Sequence, residues 1–329
     1  MILAGDVGGT KILLEAGDFR SGRWEPVLAR RYLIAEHENI EAVVEGFLGE
    51  LEDASPSQRR APRIAAAAIG VAGMVTGNRV KMTHRSWIID GDRISRRFGI
   101  ASVRIVNDLA AAAHGLDCLP SRDFLTLQPG RASAGEPRVV LGVGTGLGVA
   151  YLIATKKGYE VIPGEGGHVG FSPGSVEQAE VFDGLRALHG RVEAELLCSG
   201  AGIANIYAIL RKTRARAGDP QPRDAAWIHR AASEQRDATA VKTLDLFAEC
   251  LGNVAGDHAL AVLARGGVFL AGGVTAKIAP SFNSARFRSA FCAKGLFSSQ
   301  LMKIPVRLVK NERLALIGAA RLADRGQTT

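Results

Sequence analysis

The apolar positions change period along the chain, and each change marks an element. Residues 2–4 and 11–16 are apolar runs on either side of a glycine turn, the pattern of a β-hairpin. Over 39–51 the apolar residues Ile40, Val43, Val44, Phe47 and Leu51 recur every three or four positions, which predicts an amphipathic helix. Continuous apolar runs at 64–71 and 103–106 predict buried strands, and 109–116 opens a helix. A similar order of patterns then repeats. Runs at 139–143 and 149–154 flank a second glycine turn, and helical spacing follows over 176–188, 201–216 and 238–263. Residues 267–270 read as a buried strand ending in Gly272–Gly273, and a strand at 306–309 and a helix at 314–323 close the chain. Segments 129–137 and 218–224 carry turn residues and read as loops. Strands alternating with helices predict α/β layers, and the two glycine-interrupted hairpins suggest two related halves.

Length and composition narrow the class. A chain of 329 residues suggests two domains, or one domain split into two lobes. With 47% apolar and 22% charged residues, it reads as an ordinary soluble globular protein. The 39 glycines are more than an average chain carries, and they mark tight turns and close backbone approaches. Cys118, Cys198, Cys250 and Cys292 are dispersed without a CxxC, so they read as reduced thiols of a cytoplasmic protein, neither a disulfide frame nor a zinc site. The first residues show no basic region ahead of an apolar one, so no targeting segment is expected. The longest apolar runs, 64–75 and 139–154, are shorter than the roughly 20 residues of a membrane span. The formal charge of +8 reads as a solvated basic surface. The densest basic stretch, 211–216, has no interleaved aromatics, which argues against a nucleic-acid partner.

Six short motifs carry candidate chemistry. In Asp6-Val7-Gly8-Gly9-Thr10-Lys11 the two glycines let backbone amides approach a phosphate, Thr10 adds a hydroxyl, and Asp6 could hold a magnesium ion through water. The same residues would also suit a plain hairpin turn. Gly144-Thr145-Gly146 repeats the device between two strands. Because strand and not helix follows it, the dinucleotide-binding reading of G-x-G-x-x-G fails. Gly272–Gly273 at a strand end would let a flat base or ribose lie against the backbone. Asn107–Asp108 stands between a strand and a helix, where Asp108 is either an N-cap or a general base for an attacking hydroxyl. Glu165 and His168 sit in a loop of Pro and Gly, and such groups suit sugar hydroxyls that both donate and accept. Glu195 is either a sugar ligand or part of a solvated helix face.

Taken together, D-V-G-G-T, V-N-D-L, G-T-G-L-G-V-A, P-G-E-G-G-H-V, A-E-L-L-C-S-G-A-G and G-G-V-F-L-A-G-G-V resemble, in order and spacing, the bacterial ATP-dependent glucokinase family of the actin-like ATPase superfamily. The late A-F-C-A-K-G-L-F and I-P-V extend the resemblance nearly to the end. It implies an α/β, two-lobed actin-like ATPase (ribonuclease H-like) fold. The small domain would be 1–110 with 308–329 and the larger 111–307, with a cleft between them that closes on sugar. It also implies an ATP-dependent phosphotransferase acting on the 6-hydroxyl of glucose, with Mg2+, in a cytoplasmic homodimer. Asp108 would be the general base, and Asn107, Glu165, His168 and Glu195 would join it in binding the sugar. Asp6, Val7, Gly8, Gly9, Thr10, Lys11 and Gly144, Thr145, Gly146 would meet the phosphates, and Gly272 and Gly273 the adenosine.

Two departures bear on this. The family often has Thr-Asn before the Trp of a sugar-side loop, where this chain has Thr83-His84-Arg85-Ser86-Trp87, which leaves other hexoses such as mannose, fructose or glucosamine open. The related repressor-and-kinase group adds a cysteine-rich zinc loop after its Gly-His, and residues 169–174 contain no cysteine. A non-catalytic sugar sensor would need a helix-turn-helix, for which the position of the first phosphate motif is expected to leave no room.

Overall fold

The computed structural model describes residues 1–54, 63–82, 85–156, 158–212 and 223–325. Thr83 and His84, most of the basic stretch 211–216 and most of the loop expected at 218–224 lie outside the described residues. In chain order the first elements are β1 (Ile2–Val7), β2 (Lys11–Arg20), β3 (Arg23–Leu33), α1 (Ile40–Asp53), β4 (Ala66–Val71), β5 (Arg79–Lys81), β6 (Ile88–Asp90), α2 (Gly91–Phe98), β7 (Ser102–Asn107) and α3 (Asp108–Gly115). There follow β8 (Phe124–Gln128), β9 (Arg138–Val143), β10 (Leu147–Thr155), β11 (Gly158–Gly164), α4 (Val176–His189), α5 (Gly200–Lys212), α6 (Ala225–Ser233) and α7 (Ala238–Val262). The last are β12 (Gly267–Ala271), α8 (Gly273–Ile278), α9 (Ser284–Cys292), α10 (Ser298–Leu301), β13 (Val306–Val309) and α11 (Leu314–Arg325).

The two halves expected from the paired hairpins are present as two sheets of one topology. The first has the order β3-β2-β1-β4-β7, the second β11-β10-β9-β12-β13-β8. In each, a three-stranded antiparallel meander is continued by two strands parallel to its first strand. The second sheet adds β8, antiparallel, at its far edge. The strands that periodicity does not mark lie at sheet edges. β3 has one buried residue in eleven and contains Pro26, and β11 has none buried, so neither carries a long apolar run.

The chain packs as two compact units, Met1–Ser121 with Arg313–Thr329, and Arg122–Glu312. The boundaries expected at 110/111 and 307/308 fall inside α3 and β13. The division lies outside both because α3 packs on α11 and β13 is hydrogen-bonded into the second sheet. In the first unit the sheet's two faces follow the period of two. Leu3, Val7, Ala67, Ile69 and Val71 join the cluster that includes α1, while Ile2, Ala4, Ala66 and Ala68 pack with α11. That second face is made mostly of alanine, so the helices covering it sit close. A Cβ on Gly318 of α11 would lie 1.7 Å from the carbonyl oxygen of Ala111 in α3.

In the second unit the sheet carries one core cluster with α4, α5, α6, α7 and α9. Helix α7 begins where the Asp237 carboxylate accepts the amides of Thr239 and Ala240, and ends with Leu263 in a left-handed conformation. Among the described residues no helix is long and apolar enough to cross a membrane.

Candidate active site

In the first unit the parallel register collects the candidates at one end of the sheet. Asp6 of β1 is level with Gly70 of β4, and Val71 is level with Asn107 of β7. Carboxyl ends of parallel strands are where open α/β sheets bind ligands. A Cβ on Gly70 would come within 3.5 Å of the Asp108 Cα and 3.3 Å of the Ala111 Cβ, so its absence lets the β7–α3 junction settle onto β4. Asn107 caps α3: its Oδ1 accepts from the amides of Leu109 and Ala110, and its Nδ2 donates to the Gly73 carbonyl at 3.2 Å. The N-cap reading of Asp108 is thereby corrected. Asp108 is the first residue of the helix, and one of its oxygens also accepts from the Leu109 amide, at 2.8 Å. Asp6 is close enough to feel its charge. Burial first, and then Asp108, push the Asp6 carboxyl up to about 6, against a smaller opposing effect of Lys11.

The turn between β1 and β2 is a hairpin in which the Gly8 amide donates to the Lys11 carbonyl at 3.0 Å. That amide is therefore engaged within the turn, while Gly9 and Thr10 lie exposed beside it. A Cβ on Gly9 would meet nothing within 4 Å, and one on Gly8 only the Lys11 oxygen at 3.7 Å. Neither glycine has a positive φ. Neither the packing of the chain nor its backbone conformation requires glycine at these two positions.

The second unit contains an equivalent turn, Gly144–Gly146, between β9 and β10. The Gly144 amide donates to Gly146 at 2.9 Å, and a Cβ on Gly144 would again meet nothing. The register of β9 with β12 sets Gly142 level with Ala271, which brings Gly272 beside this turn. Gly272 is required by the fold itself: its φ is +104°, and a Cβ would fall 2.3 Å from the Val143 oxygen. Gly273, read from sequence as a strand end, is the first residue of α8, and it has open space where a Cβ would be.

Pro163 and Gly164, expected in a loop, form the end of strand β11, and the chain then makes a short 3-10 turn at Gly166–His168. The two buried glycines there press backbone against β10. A Cβ would lie 1.9 Å from the Leu147 oxygen at Gly167 and 2.7 Å from Val149 at Gly166. This packing leaves Glu165 and His168 exposed. His168 Nδ1 lies 2.7 Å from Oε2 of Glu193, whose other oxygen is 3.3 Å from Arg191. That hydrogen bond, with the charges of Glu195 and Glu165 adding to it, holds the His168 imidazole above its ordinary range. Glu193 was not among the residues singled out from sequence. Its one signal was its place two residues before Glu195. Tyr151 and His258 were missed as well. They are hydrogen-bonded at 2.8 Å behind the loop, and His258 also bonds the Gly166 backbone.

Glu195 is on neither a solvated helix face nor an open loop. It lies in a 3-10 turn, Ala194–Leu196, and its Oε2 accepts from the Leu147 amide at 2.8 Å. A Cβ on Gly146 would lie 2.4 Å from that oxygen, so any side chain there would displace the carboxylate from the turn. Among the described residues no three or more His, Cys, Asp or Glu side chains gather as a metal centre. A hard cation held by one carboxylate together with phosphates and waters needs no such cluster. Asp6 fits that donor set, since its carboxylate is half-buried and pushed toward the protonated form, a state that an adjacent cation would reverse.

Comparison with known proteins gives a consistent family. The family model described as Glucokinase matches residues 3–326. The chain is 35% identical to the glucokinase of Tolumonas auensis over 319 residues, covering 97% of this chain and 95% of that one. Among solved structures, a glucokinase from an Antarctic psychrotroph superposes with a TM-score of 0.86 at 27% identity, over 98% of both chains. The glucose complex of the glucokinase from Balamuthia mandrillaris, 20% identical, shares the fold at a TM-score of 0.77 over 98% of this chain and 93% of that one.

Proposed function

This chain belongs to the glucokinase family, and from that premise we propose that it transfers the γ-phosphoryl group of ATP to the 6-hydroxyl of glucose, giving glucose 6-phosphate and ADP. The observation that carries the reading is the Asn107–Asp108 junction. Asn107 satisfies the helix cap, and Asp108 stands at the carboxyl end of a parallel strand beside Asp6.

Each group has a stated task. Asp108 orients the 6-hydroxyl oxygen and accepts its proton late in the transfer, since phosphoryl transfer rests mainly on positioning and charge stabilisation. Gly9, Thr10 and the Gly144–Gly146 turn offer backbone and hydroxyl donors to the phosphates, and Gly273, with open space beside it, together with Gly272 would meet the adenosine. Glu165 and His168 meet the sugar hydroxyls, with Glu193 holding the imidazole at Nδ1 and leaving Nε2 for the sugar. Asp6 would hold Mg2+ through water, and the ion would supply charge neutralisation at the phosphates. We place the protein in the cytoplasm as a homodimer, which sedimentation of the purified chain would test.

The functional test is an activity matrix of hexoses against phosphoryl donors, read by coupled ADP release and by product identity. Glucose with Mg-ATP is expected to be the best pair. A pure, folded protein that phosphorylates no hexose with any donor would overturn the proposal. A higher kcat/KM for mannose, fructose or glucosamine would reassign the acceptor.

A further inference from the structure

Segment 193–200 is tied at one end to the sugar-side loop and at the other to the second glycine turn, all within the second unit. At the loop end, Glu193 holds His168 at 2.7 Å, and the Ala194 amide donates to the Val169 oxygen at 2.9 Å. At the turn end, the Gly200 amide donates to the Gly144 oxygen at 2.9 Å, and the Leu147 amide donates to Oε2 of Glu195 at 2.8 Å. The segment is otherwise pinned by its own backbone: Cys198 donates to Ala194 at 2.8 Å, and the Ser199 hydroxyl to the Glu195 carbonyl at 2.8 Å. The Glu195 side chain is thus the part that can move while the segment stays in place.

An amide bordering a glycine turn, as that of Leu147 does, is a donor that a phosphate oxygen can compete for against the carboxylate. We infer that Glu195 is a sugar-released latch on the nucleotide turn: without sugar its carboxylate occupies the Leu147 amide and sets a negative charge where the phosphates bind, and sugar hydroxyls draw it away. This rests on the proposed assignment of the Gly144–Gly146 turn to phosphates and Glu195 to the sugar. The physical content is competition for one N–H and like-charge repulsion, both relieved together. Reciprocity follows, because a ligand that binds better to the released state raises the affinity of the other by the same factor. Gly146 belongs to the device. Any side chain there would push the carboxylate off the turn, its Cβ falling 2.4 Å from the oxygen.

The test is nucleotide binding, not turnover. The affinity of AMPPNP with Mg2+ is measured by calorimetry, with and without saturating glucose, for wild type, Glu195→Gln and Glu193→Gln. In wild type, glucose should tighten AMPPNP by about fivefold or more, the lower end of ordinary site–site coupling. Glu195→Gln keeps shape but loses the charge, so its sugar-free affinity for AMPPNP should rise toward the wild-type value with glucose. Glu193→Gln, which touches His168 and not the turn, should leave sugar-free AMPPNP affinity unchanged. A wild type whose AMPPNP affinity ignores glucose, or a folded Glu195→Gln variant with wild-type or weaker sugar-free affinity, would overturn the latch. Absence of any glucose binding by wild type would instead overturn the functional reading. Should Glu195→Gln not fold, Glu195→Asp, whose carboxylate is one methylene too short to hold the Leu147 amide at 2.8 Å, is titrated in its place, and wild-type sugar-free affinity there would overturn the latch.

Discussion

Asn107 caps the helix that Asp108 begins. Its Oδ1 takes the amides of Leu109 and Ala110 at 3.0 and 3.1 Å, so the two neighbours divide structure and chemistry between them. Asp108→Asn should therefore leave the fold intact and lower kcat about 100-fold or more, the low end of general acid–base contributions, with glucose KM changed far less. Asn107→Ala should do the reverse in stability, destabilising by about 1 kcal/mol through loss of the cap. Steady-state kinetics and urea unfolding of the two variants separate the roles. Near-wild-type turnover in a folded Asp108→Asn protein would move the base elsewhere.

Glu165→Gln and His168→Ala should weaken sugar binding more than ATP binding. Both side chains are exposed on a turn whose buried glycines fix it to β10, so their removal alters a surface and leaves the core alone. Loss of a hydrogen-bond partner in the bound complex costs about 1–3 kcal/mol, roughly 5- to 150-fold in affinity. Separate titrations with glucose and with AMPPNP check this. A collapse of nucleotide affinity with sugar affinity retained would reject the assignment.

The division of what was legible in sequence follows burial. Strands buried in both sheets, such as 66–71 and 267–271, are continuous apolar runs, and helix α1 shows its period through Ile40, Val43, Val44, Phe47 and Leu51. Edge strands β3 and β11 expose most of their side chains and leave no such trace. Candidates for the site stood out in sequence where residue type is rare in its setting, as with paired glycines in turns or an imidazole among glycines. Partners that act through geometry were not legible. Glu193 is one glutamate among many until the bridge between Gly170 and Glu193 sets it against His168. The contact of Glu195 with Leu147 spans 48 residues, a pairing that no local pattern encodes.

Glu193→Gln should lower the pKa of His168. The Glu193 hydrogen bond is the first cause of its elevation, with Glu195 and Glu165 contributing. A histidine whose folded pKa is raised adds stability that is fully present below its unfolded pKa and is lost as pH rises through the folded value. The wild-type advantage over Glu193→Gln should accordingly shrink as pH rises from about 6.5 upward. Proton NMR titration of the His168 ring gives the pKa directly. An unchanged pKa in the variant would mean the pair does not persist in solution.

Gly318→Ala should destabilise the first unit. Its Cβ would fall 1.7 Å from the Ala111 carbonyl oxygen, and the neighbouring Gly115 faces Leu314 at 2.6 Å in the same way. Backbone contact between α3 and α11 leaves no flexible side chain to yield, so the helices must separate. Overpacking of this kind costs about 1–3 kcal/mol or more. Chemical denaturation checks the size of the loss. A variant as stable as wild type would mean that α11 can shift freely along α3.

Asp6 makes the last prediction, and its sign runs opposite to that of an ordinary ion-paired carboxylate. Burial and the charge of Asp108 raise it from 3.8 to about 6. Between those values the folded chain binds more protons than the unfolded chain, so stability falls as pH rises through this window and levels off above it. Asp6→Asn removes the group that loses its proton. The variant should therefore gain on wild type from about pH 4 to about pH 6, by up to about 3 kcal/mol for a shift of this size. Unfolding free energies measured across pH for both proteins test the trend. A stability difference that is flat over this range would show that Asp6 ionises normally. The same carboxylate is proposed to meet Mg2+, and a cation beside it favours the charged form. Adding Mg2+ with AMPPNP should thus flatten the wild-type curve, while Asp6→Asn shows no such change. If the wild-type slope persisted at saturating Mg2+ and AMPPNP, Asp6 would not be the residue that faces the ion.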